Sequence, residues 1–146
     1  MPTRRRCAQP RSDSAPLGSG LMAEEMAPAG VELLIGLTRD ATGLLALTLG
    51  AGGVLAELLR DSVTLILPAG RETIDAALRS LRLAPLLEGW RGAPPADRGA
   101  LLDAVEAITR FAVAEAARLV ELDVNPLIVS PSGAVAVDAL IRLEEP

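Results

Sequence analysis

Hydrophobic positions follow two different periods along the chain and predict an α+β fold. Three apolar runs, residues 30–40, 44–50 and 62–68, are bounded by Gly, Pro and Asp, which is typical of strands. Residues 71–81 and 97–120 instead repeat apolar side chains at helical spacing. Because strands come in runs with two helices inserted, the order favours a mainly antiparallel sheet with two packed helices over a doubly wound sheet.

Two less regular stretches connect these elements. Residues 50–53, "GAGG", form a loop that leads into "VLAELLRD", which predicts a short helical turn or an irregular segment. Residues 83–99 are rich in Pro and Gly and predict a loop that contains one short apolar turn. The inward faces of the two long helices share small and aliphatic side chains: Ile74, Ala77, Leu78 and Leu81 in the first, and Leu101, Leu102, Val105, Ile108, Ala112, Ala116 and Leu119 in the second.

The last two strand-like segments, residues 121–129 and 134–142, carry acids among apolar residues. Strand residues alternate between two faces. Strict alternation therefore predicts two polar faces, one with Glu121, Asp123, Asn125, Leu127 and Val129, and one with Ala134, Ala136, Asp138, Leu140 and Arg142. The connector "SPSG" is typical of a four-residue turn, so the two segments predict a β-hairpin.

The register of this hairpin would bring polar side chains together. If Val129 lies opposite Ala134, then Asn125 lies opposite Asp138, with Cβ atoms about 4.5 to 5.5 Å apart. Asp123 follows one step further along the same face. An amide oxygen held beside two carboxylates is a hard oxygen site, and it suits Mg²⁺ with further positions left to water or phosphate.

The alternative is a hairpin at the edge of the sheet whose polar side chains are merely solvated. Pro126 within the strand agrees with either an edge or a bulge, because proline cannot donate a ladder hydrogen bond. Spacing alone leaves both interpretations open.

Composition excludes several kinds of chemistry. All fourteen basic residues are Arg, and the chain contains no Lys and no His, so a lysine Schiff base, an imidazole base and a phosphohistidine are excluded within it. Trp90 and Phe111 are the only aromatic residues, which leaves little for base stacking. The net charge of −5 disfavours nucleic acid and anionic membranes as partners, and a phosphate ligand would need a cation beside it.

The remaining features concern domains and location. Residues 1–20 are rich in Arg, Pro and Ser and predict a disordered tail before a folded domain of residues 21–146. The single Cys7 cannot form an internal disulfide, which agrees with a reducing, cytoplasmic environment. The longest uncharged stretch falls short of the roughly 20 apolar residues that a membrane span requires.

The closing motif "ELDVNPLIV…GAVAVDALI" resembles that of ATP-grasp enzymes in the NDP-forming acyl-CoA synthetase group. This group includes ADP-forming acetate–CoA ligase and the β subunit of succinyl-CoA synthetase. The upstream stretches "EEMAPAGVELLIGLTRD", "LGAGGVLAELLRD" and "LLEGWRG" are similar to the same family and occur in the same order. The resemblance runs from about Leu21 to Leu143, and it implies the C-terminal lobe of an ATP-grasp domain.

The resemblance also implies roles for the hairpin residues. Asn125 and Asp138 match the asparagine and aspartate that hold Mg²⁺ on the phosphates of ATP or ADP. Asp123 matches the acid that faces the reacting phosphoryl group, and it is the candidate catalytic residue. These are the same side chains that the hairpin register brings together.

For the nucleotide itself, the resemblance implies two further acids. Glu24, or Glu25 if the register slips, matches the hinge strand beside the base, and Glu32 matches the acid beside the ribose. Each could instead be an ordinary polar surface residue. The "GAGG" loop could lie near the phosphates or could be a plain tight turn.

Departures from the family restrict the expected activity. The chain begins where the first lobe of the grasp should end, and neither that lobe's lysines nor a phosphohistidine is present. At "DATGLLAL", Thr42 and Leu44 replace the aromatic and the proline that are usual in the family. We therefore expect a nucleotide- and Mg²⁺-binding lobe of an ADP-forming acetate–CoA ligase that is inactive without an N-lobe and a CoA-ligase subunit or domain. The alternative is a non-catalytic remnant or a regulatory module, such as the synthetase-like part of an acetyltransferase fusion.

Overall fold

The computed structural model of the protein describes residues 25–53, residue 56 and residues 60–145. This part of the chain has an α+β fold, as predicted, with six strands and three helices. In chain order the elements are β1 (Val31–Arg39), β2 (Leu45–Ala51), β3 (Ser62–Ile66), α1 (Arg71–Ser80), α2 (Ala84–Leu87), α3 (Arg98–Ala114), β4 (Leu119–Ser130), β5 (Gly133–Ala136) and β6 (Ala139–Leu143). The short α2 lies where the apolar turn was predicted, whereas most of "VLAELLRD" lies outside the described residues.

The strands form one antiparallel sheet in the order β3-β2-β1-β4-β5, and β6 also pairs with β4. β4 has 12 residues, long enough for β5 to pair with its C-terminal half and β6 with its N-terminal half. β1 and β4 therefore occupy the centre of the sheet, and the hairpin residues lie next to β1.

The helices cover one face of the sheet and bury an aliphatic core. β1 alternates regularly, with Leu33, Ile35 and Leu37 fully buried on the helical side. The predicted inward residues of α1 are all buried against this face, and so are Leu101, Leu102, Val105 and Ala112 of α3. The alternate residues of β1 lie on the opposite face, which no described helix covers: Glu32, Leu34, Gly36 and Thr38. We call this face the open face.

The second long helix is shorter than predicted. It ends at Ala114 rather than at Val120, and Leu119 already belongs to β4. Leu119, the last residue of the predicted apolar face of the helix, pairs with Leu143 of β6. It is therefore part of the sheet and not of the helix. None of the helices in the described residues has the length and apolarity needed to cross a bilayer.

β4 contains one residue more than β1 at its centre. The extra residue lies between two flanking pairs, Leu33 with Leu127 and Ile35 with Val124. Asn125 and Pro126 consequently lie opposite Leu34 alone, which is the arrangement of a β-bulge. The bulge interpretation of Pro126 agrees with this register, and β4 is a central strand rather than an edge.

The bulge corrects the predicted faces of the hairpin. Leu122 and Val124 are buried before the bulge, and Leu127 and Val129 are buried after it, so the buried set changes phase. The prediction that Leu127 and Val129 share the face of Asp123 is therefore wrong, because one inserted residue moves all later side chains to the opposite face.

The partner strand changes face at the same level. Ala134 and Ala136 pair with core residues of β4, whereas Leu140 pairs with Asp123. The single face predicted for residues 134–142 is therefore also wrong. The two alanines lie on the core side, away from the acids.

Candidate nucleotide- and metal-binding site

The hairpin register agrees with the prediction from the turn. Val129 lies opposite Ala134, and the same register continues into β6. At the junction of β5 and β6, the backbone N–H of Asn125 donates to the backbone carbonyl oxygen of Asp138 at 3.2 Å. Asn125 and Asp138 are therefore direct cross-strand neighbours, and both are at least partly exposed.

Asp123 lies on the open face above Gly36 of β1. The two residues pair in the sheet, and a Cβ built on Gly36 would lie 3.8 Å from Asp123 Oδ1. Partial burial raises the pKa of the Asp123 carboxyl, and the nearby charges of Glu121 and Asp138 raise it further. The carboxylates of Asp123 and Asp138 are therefore close enough to repel one another.

This repulsion makes the site favourable for a cation. Arg142 lies 3.6 Å from Glu121 and partly neutralises it. Within the described part of the chain, no ion pair includes Asp123 or Asp138. A divalent ion would replace the like-charge repulsion with attraction.

The oxygen ligands at the site suit Mg²⁺, which needs only a few ligands from the protein. Across residues 25–53, 56 and 60–145, no three or more His, Cys, Asp or Glu side chains come together as a metal cage. Asn125 and Asp138 instead offer one side-chain amide and one carboxylate at paired positions of neighbouring strands. Mg²⁺ keeps several waters and is commonly held by one or two carboxylates together with substrate phosphates, so such a pair is sufficient in kind.

The glycine loop, Gly50–Gly53, joins Glu32 to this group. Glu32 is exposed at the start of β1, and its carboxylate lies directly over Gly53. The Gly53 amide donates to Asn125 Oδ1 at 3.0 Å. The nucleotide-binding candidate Glu32 and the metal-binding candidate Asn125 thus converge on one residue.

The other nucleotide-binding candidate is not located. Glu24 lies outside the described residues, and its alternative, Glu25, is exposed near the start of the described part. The structure therefore brings Glu32, Asp123, Asn125 and Asp138 to one region and gives no position for the hinge acid.

An apolar groove of about 660 Å³ opens beside the start of β1, and Glu32 is the one candidate site residue that lines it. Its walls include Ala51 and Val129, which belong to the core side of the sheet, and the exposed ring of Trp90. Glu32 is the only acid that lines it. None of its described lining residues is Arg, and the metal-binding candidates lie instead on the shallow open face.

Two glycines belong to the site that were not among the candidate residues. Gly36 leaves space beneath Asp123, and Gly53 contacts both Glu32 and Asn125. The clustered glycines of "GAGG" were a usable signal for the second, since such runs mark close backbone approach. Gly36 carries no comparable signal because it stands alone within a strand.

Comparison with known proteins identifies the family of the chain. A family described as "ATP-grasp domain" matches residues 5–143. The chain belongs to the ATP-grasp family. The match begins upstream of Leu21, where the resemblance in the motifs started.

Several relatives of this ATP-grasp chain are named as acyl-CoA synthases or acyl-CoA ligases. It is 32% identical over 124 residues to the beta subunit of acetate–CoA ligase [ADP-forming] I from Pyrococcus furiosus, covering 85% of this chain and 53% of the relative. It is 34% identical over 127 residues to trans-feruloyl-CoA synthase FCS1 of an unknown prokaryotic organism, covering 86% of this chain and 18% of that protein. This ATP-grasp chain therefore spans about half of the first relative and under a fifth of the second.

A solved structure gives the same fold. The dinucleotide-forming acetyl-coenzyme A synthetase 1 of Ca. Korarchaeum cryptofilum is 38% identical, with a TM-score of 0.73 over 81% of this ATP-grasp chain and 55% of that one. That enzyme was solved in complex with coenzyme A and Mg-AMPPCP. The antiparallel sheet and helices of this chain thus match the fold of the ATP-grasp lobe of that enzyme.

Proposed function

We propose that the chain is the nucleotide- and Mg²⁺-binding lobe of an ADP-forming acyl-CoA synthetase. The complete enzyme would convert acetate, CoA and ATP into acetyl-CoA, ADP and phosphate in the cytoplasm, or run the reverse reaction. The observation that carries this proposal is the cross-strand pairing of Asn125 with Asp138, with Asp123 beside them on the open face. The ADP-forming ligases among the relatives support the reaction class.

Each polar residue of the site has a proposed role. Asn125 and Asp138 would hold Mg²⁺, which offsets the phosphate charge when it is bound. Asp123 would lie beside the phosphoryl group that is transferred. Glu32 would accept hydrogen bonds from ribose hydroxyls, and Glu24 or Glu25 would contact the base.

The chain requires partners to complete this chemistry. It contains no Lys to bind the outer phosphates and no His to carry a phosphoryl group. An ATP-grasp N-lobe would supply the first, and a CoA-ligase subunit or domain would supply the second. On its own the chain would bind nucleotide without turning over acetate and CoA.

A titration of the full chain with ADP, with and without Mg²⁺, tests the binding role. We expect Mg²⁺ to strengthen ADP binding to the wild-type chain. The Asp138→Asn variant should lose about tenfold or more of that gain, because the negative charge is removed and one of the two carboxylate oxygens is replaced by an NH2 group.

Asp103→Asn is the matched control for this titration. It removes the same charge from an exposed position on α3, away from the open face. Equal Mg²⁺ enhancement in both variants and the wild type would contradict the proposed metal site.

A further inference from the structure

Gly53 contacts two side chains on which the proposed function depends. Its amide donates to Asn125 Oδ1 at 3.0 Å, and a Cβ added to it would collide with Glu32 Oε2. Its φ of +60° lies in the left-handed region, which glycine adopts without a steric cost. The position therefore requires both a backbone amide in one direction and the absence of a side chain.

The glycine loop has little freedom to move away from this position. The Gly52 amide donates to the Glu32 carbonyl oxygen at 2.9 Å, and a Cβ on Gly52 would lie 2.5 Å from the Leu33 carbonyl carbon. On the other side, the Ala51 amide donates to the Asp61 carbonyl oxygen at 2.9 Å. The loop is thus attached to β1 and to the segment before β3.

Asp61 anchors the far side of the loop in turn. Its buried carboxylate accepts hydrogen bonds from the backbone amides of Arg82 and Leu83, both at 2.9 Å. These bonds connect the start of β3 to the turn that follows α1. The glycine loop therefore rests on the packed body of the domain and can hold Asn125 in a fixed orientation.

We propose that Gly53 is a positioning residue that couples Mg²⁺ binding to ribose recognition. An N–H donor selects the oxygen of the Asn125 amide and occupies one of its two acceptor positions, which leaves the second for a cation. The same glycine leaves the space that the Glu32 carboxylate occupies. This inference rests on the proposed function, since it assigns a common support to its metal and nucleotide ligands.

The test compares Gly53→Ala with Gly43→Ala in the full chain. Gly43 also has a positive φ, +86°, but a Cβ there would meet nothing within 4 Å. Both variants therefore carry the same type of backbone strain, whereas only Gly53→Ala collides with Glu32. Circular dichroism and thermal melting would establish that each variant is folded.

Two affinity ratios are measured for each chain: ADP with Mg²⁺ against ADP alone, and ADP against 2′-deoxy-ADP with Mg²⁺. We expect Gly53→Ala to lower the first ratio by about tenfold, as is usual when the support of a metal ligand is lost, and to lower the second as well. Gly43→Ala should change neither. General destabilisation would weaken all three affinities alike and leave both ratios at the wild-type values, and that result would overturn the proposal.

Amide hydrogen exchange at Gly53 provides a measurement that needs no substitution of the glycine. Asn125→Asp retains an acceptor for the Gly53 amide, so exchange should stay slow, whereas Asn125→Ala should accelerate it. Equal exchange rates in the two variants would overturn the positioning role. A wild-type chain without Mg²⁺-dependent ADP binding would instead refute the proposed function, and the exchange rates would still decide whether Gly53 orients Asn125.

Discussion

Asp123 shows how single residues make the open face of the sheet suitable for a cation. Its carboxylate is partly buried above Gly36, and two other carboxylates raise its pKa by their charge. A buried acid beside like charges is costly unless a cation is present. A bound cation would relieve this repulsion, as the proposed metal site requires.

Glu32 gives a prediction at the scale of single residues. We expect Glu32→Ala to remove the preference of the chain for ADP over 2′-deoxy-ADP, because a charged acceptor contributes about 1.5 to 3 kcal/mol to a hydrogen bond. Glu72→Ala is the control, since Glu72 is an exposed acid in the first turn of α1, away from the open face. A preference for ADP that survives in Glu32→Ala would contradict the ribose contact.

Among the elements, β4 contributes side chains both to the hydrophobic core and to the candidate site. Its bulge lets Leu122 and Val124 face the helices on one side of Asn125 while Leu127 and Val129 do so on the other. The polar residues at the centre are thereby released from strict alternation. Bulges often occur beside functional sites because they redirect a side chain without breaking the sheet.

The contact between α1 and α3 predicts a pH dependence of stability. Asp75 of α1 accepts a hydrogen bond from Arg98 Nε of α3 at 2.6 Å, and Arg79 lies 3.0 Å away. The hydrogen bond from Arg98 is the largest cause that lowers the pKa of Asp75. A lowered pKa in the folded state stabilises the fold above the unfolded pKa of about 3.9, and this stabilisation is lost as the pH falls through the folded value.

We therefore expect the melting temperature of Asp75→Asn to fall less than that of the wild type between about pH 5 and pH 2. At neutral pH the variant should be less stable by about 1 kcal/mol, as for a mostly solvated ion pair. Glu88→Gln, which changes an exposed acid at the end of α2, should follow the wild-type pH profile. Parallel profiles for wild type and Asp75→Asn would contradict the stabilising role of this pair.

For the whole molecule, the prediction concerns activity. The purified chain should form no ADP from ATP, acetate and CoA above background, because it has no Lys and no His. Isotope-traced ADP formation measures this, and robust turnover by the chain alone would contradict the prediction.

Adding partners separates the two proposed roles of the chain. An N-lobe that carries lysines, together with a CoA-ligase subunit, should restore turnover if the chain is a catalytic lobe. Asp123→Asn should abolish the restored turnover, whereas Asp103→Asn should leave it unchanged. Mg²⁺-dependent nucleotide binding without any restored turnover would favour a regulatory module.

Much of the fold and of the site could be predicted from the sequence because it depends on local patterns. Helical spacing identified the buried face of α1, and the turn "SPSG" determined the hairpin register that pairs Asn125 with Asp138. The proposed metal pair follows from this register, since a short turn connects its two strands directly. The resemblance to ATP-grasp motifs added Glu32 and the catalytic role of Asp123.

Tertiary structure alone decided the phase of β4, the end of α3 and the contacts of Gly53. The bulge is defined only by pairing with β1, which lies far away in the chain, so no alternation within residues 121–129 reveals it. The bond from Gly53 to Asn125 joins residues 72 positions apart. Local periodicity specifies which face a side chain would take in a regular strand, whereas packing against distant strands determines where that regularity breaks, and here it breaks at the proposed site.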